Sequence, residues 1–158
     1  MHIHRDFEEF LQYLNDNEVK YVIVGGYAVA FHGYTRATSD MDLFFENTES
    51  NIQKICKALA LFGITTNEQS VKDFSDPGSI IRLGIPPVQL EMINLISGLT
   101  FTEVWDHRVG GKYGEIPVFY ISFADLLKNK KASGRIKDLV HKVHIFFVAL
   151  LAYSGQCF

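Results

Sequence analysis

The chain of 158 residues has the length of one ordinary domain and carries a formal net charge of −3. Hydrophobic residues make up 47% and charged residues 21%, the balance of a soluble globular protein, and the small net charge excludes a global positive field that would attract nucleic acid. Cys56 and Cys157 are too few for a disulfide framework or a zinc site, which favours a reducing, cytoplasmic setting.

The sequence shows no membrane signal. Its first ten residues lack the apolar segment of a signal peptide. The most apolar stretch, residues 145–153, is far shorter than the roughly 20 residues that cross a bilayer. We therefore expect no membrane role, and we predict that the apolar C-terminal segment 140–158 forms a helix that packs on the domain or mediates a homodimer.

Apolar periodicity predicts helices and strands that alternate irregularly. In chain order we expect a helix over 5–16, a strand over 21–24, a helix over 27–32, a strand over 41–45, a helix over 48–61, strands over 80–83 and 88–95, a short helix over 101–107, a strand over 116–121, and helices from 122 and from about 135. The polar stretch 65–78 predicts a loop, and Pro117 predicts an edge position for its strand. No repeat or linker interrupts the pattern, so we predict a single α/β (α+β) domain over 1–158, a mixed sheet flanked by helices.

A glycine pair lies where a predicted strand meets a predicted helix. Gly25 and Gly26 follow the apolar run Tyr21-Val22-Ile23-Val24. Because glycine has no Cβ, a ligand can approach this backbone closely, and the N–H groups at the start of the following helix favour phosphate. On its own, a glycine pair is more often only an ordinary turn.

Three acidic residues lie on predicted strands. Asp40 and Asp42 are two residues apart, a spacing that places both carboxylates on one face, and Glu91 lies in an apolar run of another strand. Like charges held close together repel, so we expect a cation to neutralise them, and oxygen ligands without His or Cys indicate Mg²⁺ or Mn²⁺. Taken singly, the aspartates are also consistent with a solvated pair and Glu91 with an edge residue that faces water.

The glycine pair and the two aspartates, separated by thirteen residues, resemble the signature of the DNA polymerase beta nucleotidyltransferase superfamily. The longer run YVIVGGYAVAFHGYTRATSDMDLFF resembles a group of small bacterial nucleotidyltransferase-like proteins, as do two later segments, IIRLGIPPVQLEMINLISG and PVFYISFADLLKNKKASGRIKDL. The similarity covers about residues 18–139. It implies a polymerase-beta-like nucleotidyltransferase fold and a magnesium-dependent transfer of a nucleotidyl group from a nucleoside triphosphate to a hydroxyl acceptor.

The resemblance also implies roles by position. Asp40 and Asp42 would hold the metal ions against the triphosphate, and Glu91 would be the third carboxylate, on the side of the attacking hydroxyl. Gly25 and Gly26 would cradle the phosphates, with Ser39 as a further nucleotide-binding residue. Two positions depart from the common pattern: Tyr27 stands where many members carry Ser or Thr, and Glu91 replaces the commoner Asp.

A basic motif near the C-terminus resembles the lysine and aspartate motifs of abortive-infection toxin nucleotidyltransferases. By that match Lys130 would contact the nucleotide phosphates, and Lys137 and Asp138 would be additional site residues. A solvated basic helix face explains the same residues equally well. Arg36, just before the acidic pair, is a candidate phosphate contact or a plain surface residue.

The acceptor stays open between a protein hydroxyl, a transfer RNA end and a small molecule. The alternative function is a catalytically weak nucleotide-binding or antitoxin-like module of a toxin–antitoxin pair, which Tyr27 and the apolar tail favour. A toxin-type transferase acting on RNA is a third hypothesis, and it rests only on the basic run 128–137.

Overall fold

The structure, a computed structural model, describes residues 2–34 and 37–134. Its elements, in chain order, are α1 (Arg5–Asp16), β1 (Tyr21–Val24), α2 (Gly25–Phe31), β2 (Asp40–Phe45), α3 (Glu49–Phe62), α4 (Glu68–Ser75), β3 (Ile80–Ile85), β4 (Val88–Ile93), α5 (Phe101–His107), β5 (Val109–Tyr113), β6 (Ile116–Tyr120) and α6 (Phe123–Ser133). Every element predicted between residues 5 and 121 is present, with its ends shifted by a few residues.

The six strands form one sheet in the order β3-β4-β2-β1-β6-β5. β2 runs parallel to β4 and β1 runs parallel to β6, whereas the other three neighbouring pairs are antiparallel. A mixed sheet flanked by helices is therefore confirmed.

One face of the sheet is covered over its central strands. Met41 and Leu43 of β2 and Met92 of β4 point to this face and are 0% exposed. The helices α1, α3 and α4 cover it. Aromatic rings pack in this layer: Phe10 of α1 lies 5.3 Å from Phe62 of α3, and Phe45 of β2 lies 5.7 Å from Phe74 of α4, between ring centroids. The main hydrophobic core lies here.

The opposite face is covered only in part by the described helices. Phe44 of β2 points to it and meets Phe101 of α5 at 5.3 Å between ring centroids. Asp40 and Asp42 alternate with the buried residues of β2 and share the face of Phe44. Over β2, β4 and β3 this face is bordered by α6 and by the chain that follows β4, and it forms an open cleft.

Two predictions about individual elements are wrong. The stretch 65–78, expected as a loop, contains α4, which begins with a capping box between Asn67 and Ser70 and buries Phe74. The strand with Pro117 is not at an edge, because the unpredicted β5 flanks it on one side and β1 on the other. A proline is tolerated there because β6 pairs with β1 only near Tyr120.

The last described helix has the predicted ends. The hydroxyl of Ser122 accepts the N–H of Asp125 at 3.2 Å, and Gly134 ends the helix with a φ of 63°. The predicted helix 140–158 and its dimer contact lie outside the described residues. Across residues 2–34 and 37–134, no helix combines the length and the apolar character that crossing a bilayer requires.

Candidate functional site

The parallel pairing of β2 with β4 brings two of the predicted carboxylates side by side. Asp42 is the direct cross-strand partner of Glu91, and Asp40 is the partner of Gln89, one step along the same face. Directly opposed residues of neighbouring strands have adjacent side chains. The register, which sequence alone does not fix, therefore places Glu91 against Asp42.

This arrangement makes the ionised form of Asp42 costly. Burial, the carboxylates of Glu91 and Asp40, and a hydrogen bond with Glu91 raise the pKa of Asp42 to about 7, while the charge of Lys130 acts in the opposite direction. A like charge beside a partly desolvated carboxyl disfavours its ionised form. A divalent cation would remove this penalty, because it compensates both carboxylates at once.

Glu91 also has a partner that we did not predict. Arg82 of β3 donates from Nε to Oε1 of Glu91 at 2.8 Å, and Gln89 donates to the same oxygen at 3.4 Å. The Arg82 side chain is 65% exposed and that of Glu91 is 18% exposed. The antiparallel β3–β4 hairpin is the feature from which this pair could have been predicted. Its turn pairs Ile85 with Val88, and counting three residues outward along each strand places Arg82 opposite Glu91.

The two glycines are explained by contacts within the protein. Gly25 has a φ of 64°, and a Cβ at this position would overlap the carboxylate of Asp42. A Cβ at Gly26 would lie 2.6 Å from the hydroxyl of Thr38. The absence of side chains thus lets the start of α2 lie directly against Asp42 of β2 and against Thr38, which precedes that strand. The phosphate-binding role of this pair stays a prediction.

Asp42 and Glu91 face an open cleft of about 310 Å³, which we call the carboxylate cleft. Its polar lining comes from β2, β4, α6 and the chain after β4: Asp42, Glu91, Ser97, Asn129, Lys130 and Ser133. Asn129 donates to the carbonyl of Ser97 at 3.0 Å, which ties α6 to the chain after β4. Lys130 thus lies in the same cleft as the predicted carboxylates.

Two residues near the glycine pair have different surroundings. Tyr27 is 1% exposed and packs against Phe7 and Tyr113, and burial raises the pKa of its phenol. It is a core residue, so it does not supply a hydroxyl to the cleft in place of Ser or Thr. Ser39 is exposed and donates to Oδ1 of Asp40 at 3.2 Å.

Arg36, Lys137 and Asp138 lie outside the described residues. At the described end of the basic run, Lys128 forms an ion pair with Glu103 at 3.6 Å, with both side chains about half exposed. This pair is consistent with a solvated helix face at that position.

The carboxylates of the cleft form a small donor set for the expected magnesium ion. Within residues 2–34 and 37–134, no three His, Cys, Asp or Glu side chains are grouped closely enough to hold a metal by themselves. Mg²⁺, however, is commonly bound through one or two carboxylates, with substrate phosphates and water as the other ligands. Asp42 and Glu91 match this smaller set, with Asp40 two residues along the strand.

Comparisons with known proteins agree with the fold. The model of the family "Nucleotidyl transferase of unknown function (DUF2204)" matches residues 3–140. The crystal structure of a "putative nucleotidyltransferase" (TM1012) from Thermotoga maritima superimposes with a TM-score of 0.61 at 13% identity, over 96% of this chain and 92% of that one. Curated protein sequences give no match. The family match covers most of the chain, which therefore belongs to the nucleotidyl transferases of unknown function.

Proposed function

We propose that the protein transfers a nucleotidyl group from a magnesium-bound nucleoside triphosphate to a hydroxyl acceptor. One observation supports this most strongly: Asp42 and Glu91 lie opposite each other, with the pKa of Asp42 raised to about 7, at an open cleft that also contains Lys130. Ionised carboxylates held side by side repel each other, and a divalent cation removes that repulsion. A close pair at a cleft is typical of sites that bind a divalent cation.

Each residue has a defined part in this proposal. Asp42 and Glu91 would hold the metal, which supplies charge neutralisation for the phosphates and the reacting oxygens. Asp40, two residues along β2, would add its negative charge to this pair. Lys130 would neutralise triphosphate charge from α6. In-line transfer would then depend mainly on positioning and electrostatics, with pyrophosphate as the leaving group.

The salt bridge of Arg82 with Glu91 is compatible with this function. An ion pair formed by an exposed arginine contributes little stability, because water screens it and the long side chain loses freedom. A divalent cation at Glu91 can therefore compete with Arg82. The two donors on Oε1 also fix the orientation of the carboxylate before any ligand arrives.

The alternative is a nucleotide-binding or antitoxin-like module that binds without turnover. Two observations favour it: Tyr27 is buried in the core, and Glu91 has a cationic partner in Arg82. Both hypotheses predict nucleotide binding, but only the first predicts a covalently labelled product.

The test is incubation of the protein with each α-³²P-labelled nucleoside triphosphate and magnesium in cell lysate. We expect label on a protein, RNA or small-molecule acceptor, and none with Asp42→Asn. Leu61→Asn, an exposed position on α3 away from the cleft, is the control and should label like wild type. Label that is equal for Asp42→Asn and wild type would rule out the transferase proposal, and binding without label in any lysate would favour the alternative.

A further inference from the structure

The carboxylate cleft has a second, chemically different half. Four aliphatic side chains line it beyond the carboxylates: Ile80, Ile93, Leu95 and Ile96. We call this set the apolar wall. Ile80 is 52% exposed and Leu95 is 60% exposed, whereas Ile93 and Ile96 are half-buried. Single exposed aliphatic residues need no explanation, but four that line one cleft form a continuous surface.

The position of the apolar wall follows from the sheet register. Ile80 pairs with Ile93 in the cross-strand row adjacent to that of Arg82 and Glu91. Side chains two residues apart on a strand share a face and are separated by about 7 Å. The apolar wall thus begins one row away from the metal-binding carboxylates proposed above, on the same face and in the same cleft.

We propose that the apolar wall binds the base of the donor nucleotide. This inference rests on the proposed function, because it takes the carboxylate half of the cleft as the site of the metal-bound triphosphate. A nucleotide carries a charged phosphate chain and a flat base, with apolar faces and polar edges, joined by one ribose. The cleft offers both kinds of surface: Lys130 and the carboxylates, and then, in the next row on the same face, an aliphatic surface.

The cleft suits this ligand in size and in lining. Its volume of about 310 Å³ lies at the lower end of the range for small-molecule pockets, which combine an apolar lining with a few placed polar groups. Aliphatic contacts with the face of a base gain free energy through burial of apolar surface. Such contacts do not read the hydrogen-bonding edges of the base, so the size of its face should matter more than its identity.

The test compares two ligands by calorimetry in magnesium: adenosine triphosphate and inorganic tripolyphosphate. The second has the phosphates without the nucleoside. We expect wild type to bind the nucleotide more tightly than tripolyphosphate. Ile80→Gln/Leu95→Gln should weaken nucleotide binding about tenfold and leave tripolyphosphate binding unchanged. Both positions are exposed, so the variant should fold, and its melting temperature checks this.

A matched control is available on the same strand. Ile85 is 81% exposed and is the same residue type on β3, but it points to the opposite face from Ile80. Ile85→Gln/Leu61→Gln changes the same two residue types away from the cleft, and it should bind both ligands like wild type.

The possible results separate the two proposals. Equal binding of nucleotide and tripolyphosphate by wild type, or equal weakening of both by the cleft variant, would overturn the base site and leave the transferase proposal standing. No magnesium-dependent binding of either ligand would overturn the transferase proposal itself. Unchanged nucleotide binding together with an altered elution volume of the cleft variant would show that protein, rather than a base, covers the apolar wall.

Discussion

On β2 and β4, alternate side chains enter two opposite environments. Met41, Leu43 and Met92 are 0% exposed beneath α1, α3 and α4, whereas Asp42 and Glu91, their immediate neighbours in sequence, face the carboxylate cleft. The same strands therefore hold the hydrophobic core with one set of residues and present the candidate site with the other.

The comparison shows how a small domain can keep stability and chemistry apart. Packing on the covered face fixes the strands, and the strand register then sets Asp42 beside Glu91. When both carboxyls are ionised they repel each other, so their placement depends on the packing of the covered face. Substitutions on the cleft face should therefore change activity, whereas substitutions on the covered face should change the free energy of unfolding.

The largest expected effect is on the cleft face. Asp42→Asn should lower the rate of nucleotidyl transfer at least about a thousandfold, because the loss of a metal-binding carboxylate removes charge stabilisation from the transition state. The rate of labelling from α-³²P nucleotide measures this, and circular dichroism checks the fold. A variant that keeps a tenth or more of the wild-type rate would remove Asp42 from the mechanism.

The covered face should give the opposite result. Leu43→Ala, one residue along the strand, leaves a cavity in the core and should lower the free energy of unfolding by about 2–5 kcal/mol. The labelling rate per folded molecule should stay within about twofold of wild type. Urea unfolding and labelling below the transition measure the two quantities. A variant with unchanged stability and lost activity would contradict the division between the faces.

Stability should depend on pH through Asp42. The folded-state pKa of about 7 lies above the ordinary value of about 3.9, so this carboxyl contributes stability that is complete below pH 4 and is lost as the pH rises through 7. In chelator, the melting temperature of wild type should therefore fall relative to that of Asp42→Asn over this interval. At pH 8 the variant should be the more stable protein. Its melting temperature should be higher by about 2–4 °C for each kcal/mol that ionisation of Asp42 costs the folded state.

Magnesium provides the second arm of this experiment. At pH 8, magnesium with a nucleoside triphosphate should raise the melting temperature of wild type and leave that of Asp42→Asn unchanged. Parallel pH profiles of the two proteins in chelator would show that Asp42 has an ordinary environment.

The smallest expected effect concerns Arg82. Its exposed side chain competes with a cation for Glu91, so Arg82→Gln should lower the magnesium concentration for half-maximal nucleotide binding about two- to fivefold, with little change in melting temperature. Arg82→Lys, which keeps the charge, should lie between the two. A weaker magnesium response in Arg82→Gln would instead show that Arg82 positions Glu91 for the metal.

Most of the fold could be predicted from the sequence, and each wrong or missing prediction has a local cause. α4 buries little besides Phe74, and the adjoining Asp76-Pro77-Gly78 dominates the pattern with loop-forming residues. β5 contains Gly110-Gly111, a pair with low strand propensity, so pairing with β6 decides its conformation. Pro117 predicts an edge strand because proline cannot donate a backbone hydrogen bond to a neighbouring strand. β1, however, pairs with β6 only near Tyr120, so β6 can lie between two strands.

The candidate site was predictable in composition and much less so in geometry. The spacing of Asp40 and Asp42 is enough to put them on one face, but only the parallel register of β2 with β4 sets Glu91 against Asp42. The apolar wall could not be predicted, because Ile80 and Leu95 have the pattern of ordinary strand residues. Only the structure shows that both line an open cleft. The roles of all these residues stay predictions.

The most direct test of the central claim is a ¹³C-carboxyl NMR titration of Asp42, with its signal assigned by comparison with Asp42→Asn. In chelator the midpoint should lie near pH 7, and magnesium with a non-hydrolysable nucleoside triphosphate should move it to well below this value, because the cation favours the ionised form. A midpoint near 4 in chelator, or one that does not respond to magnesium and nucleotide, would contradict the account.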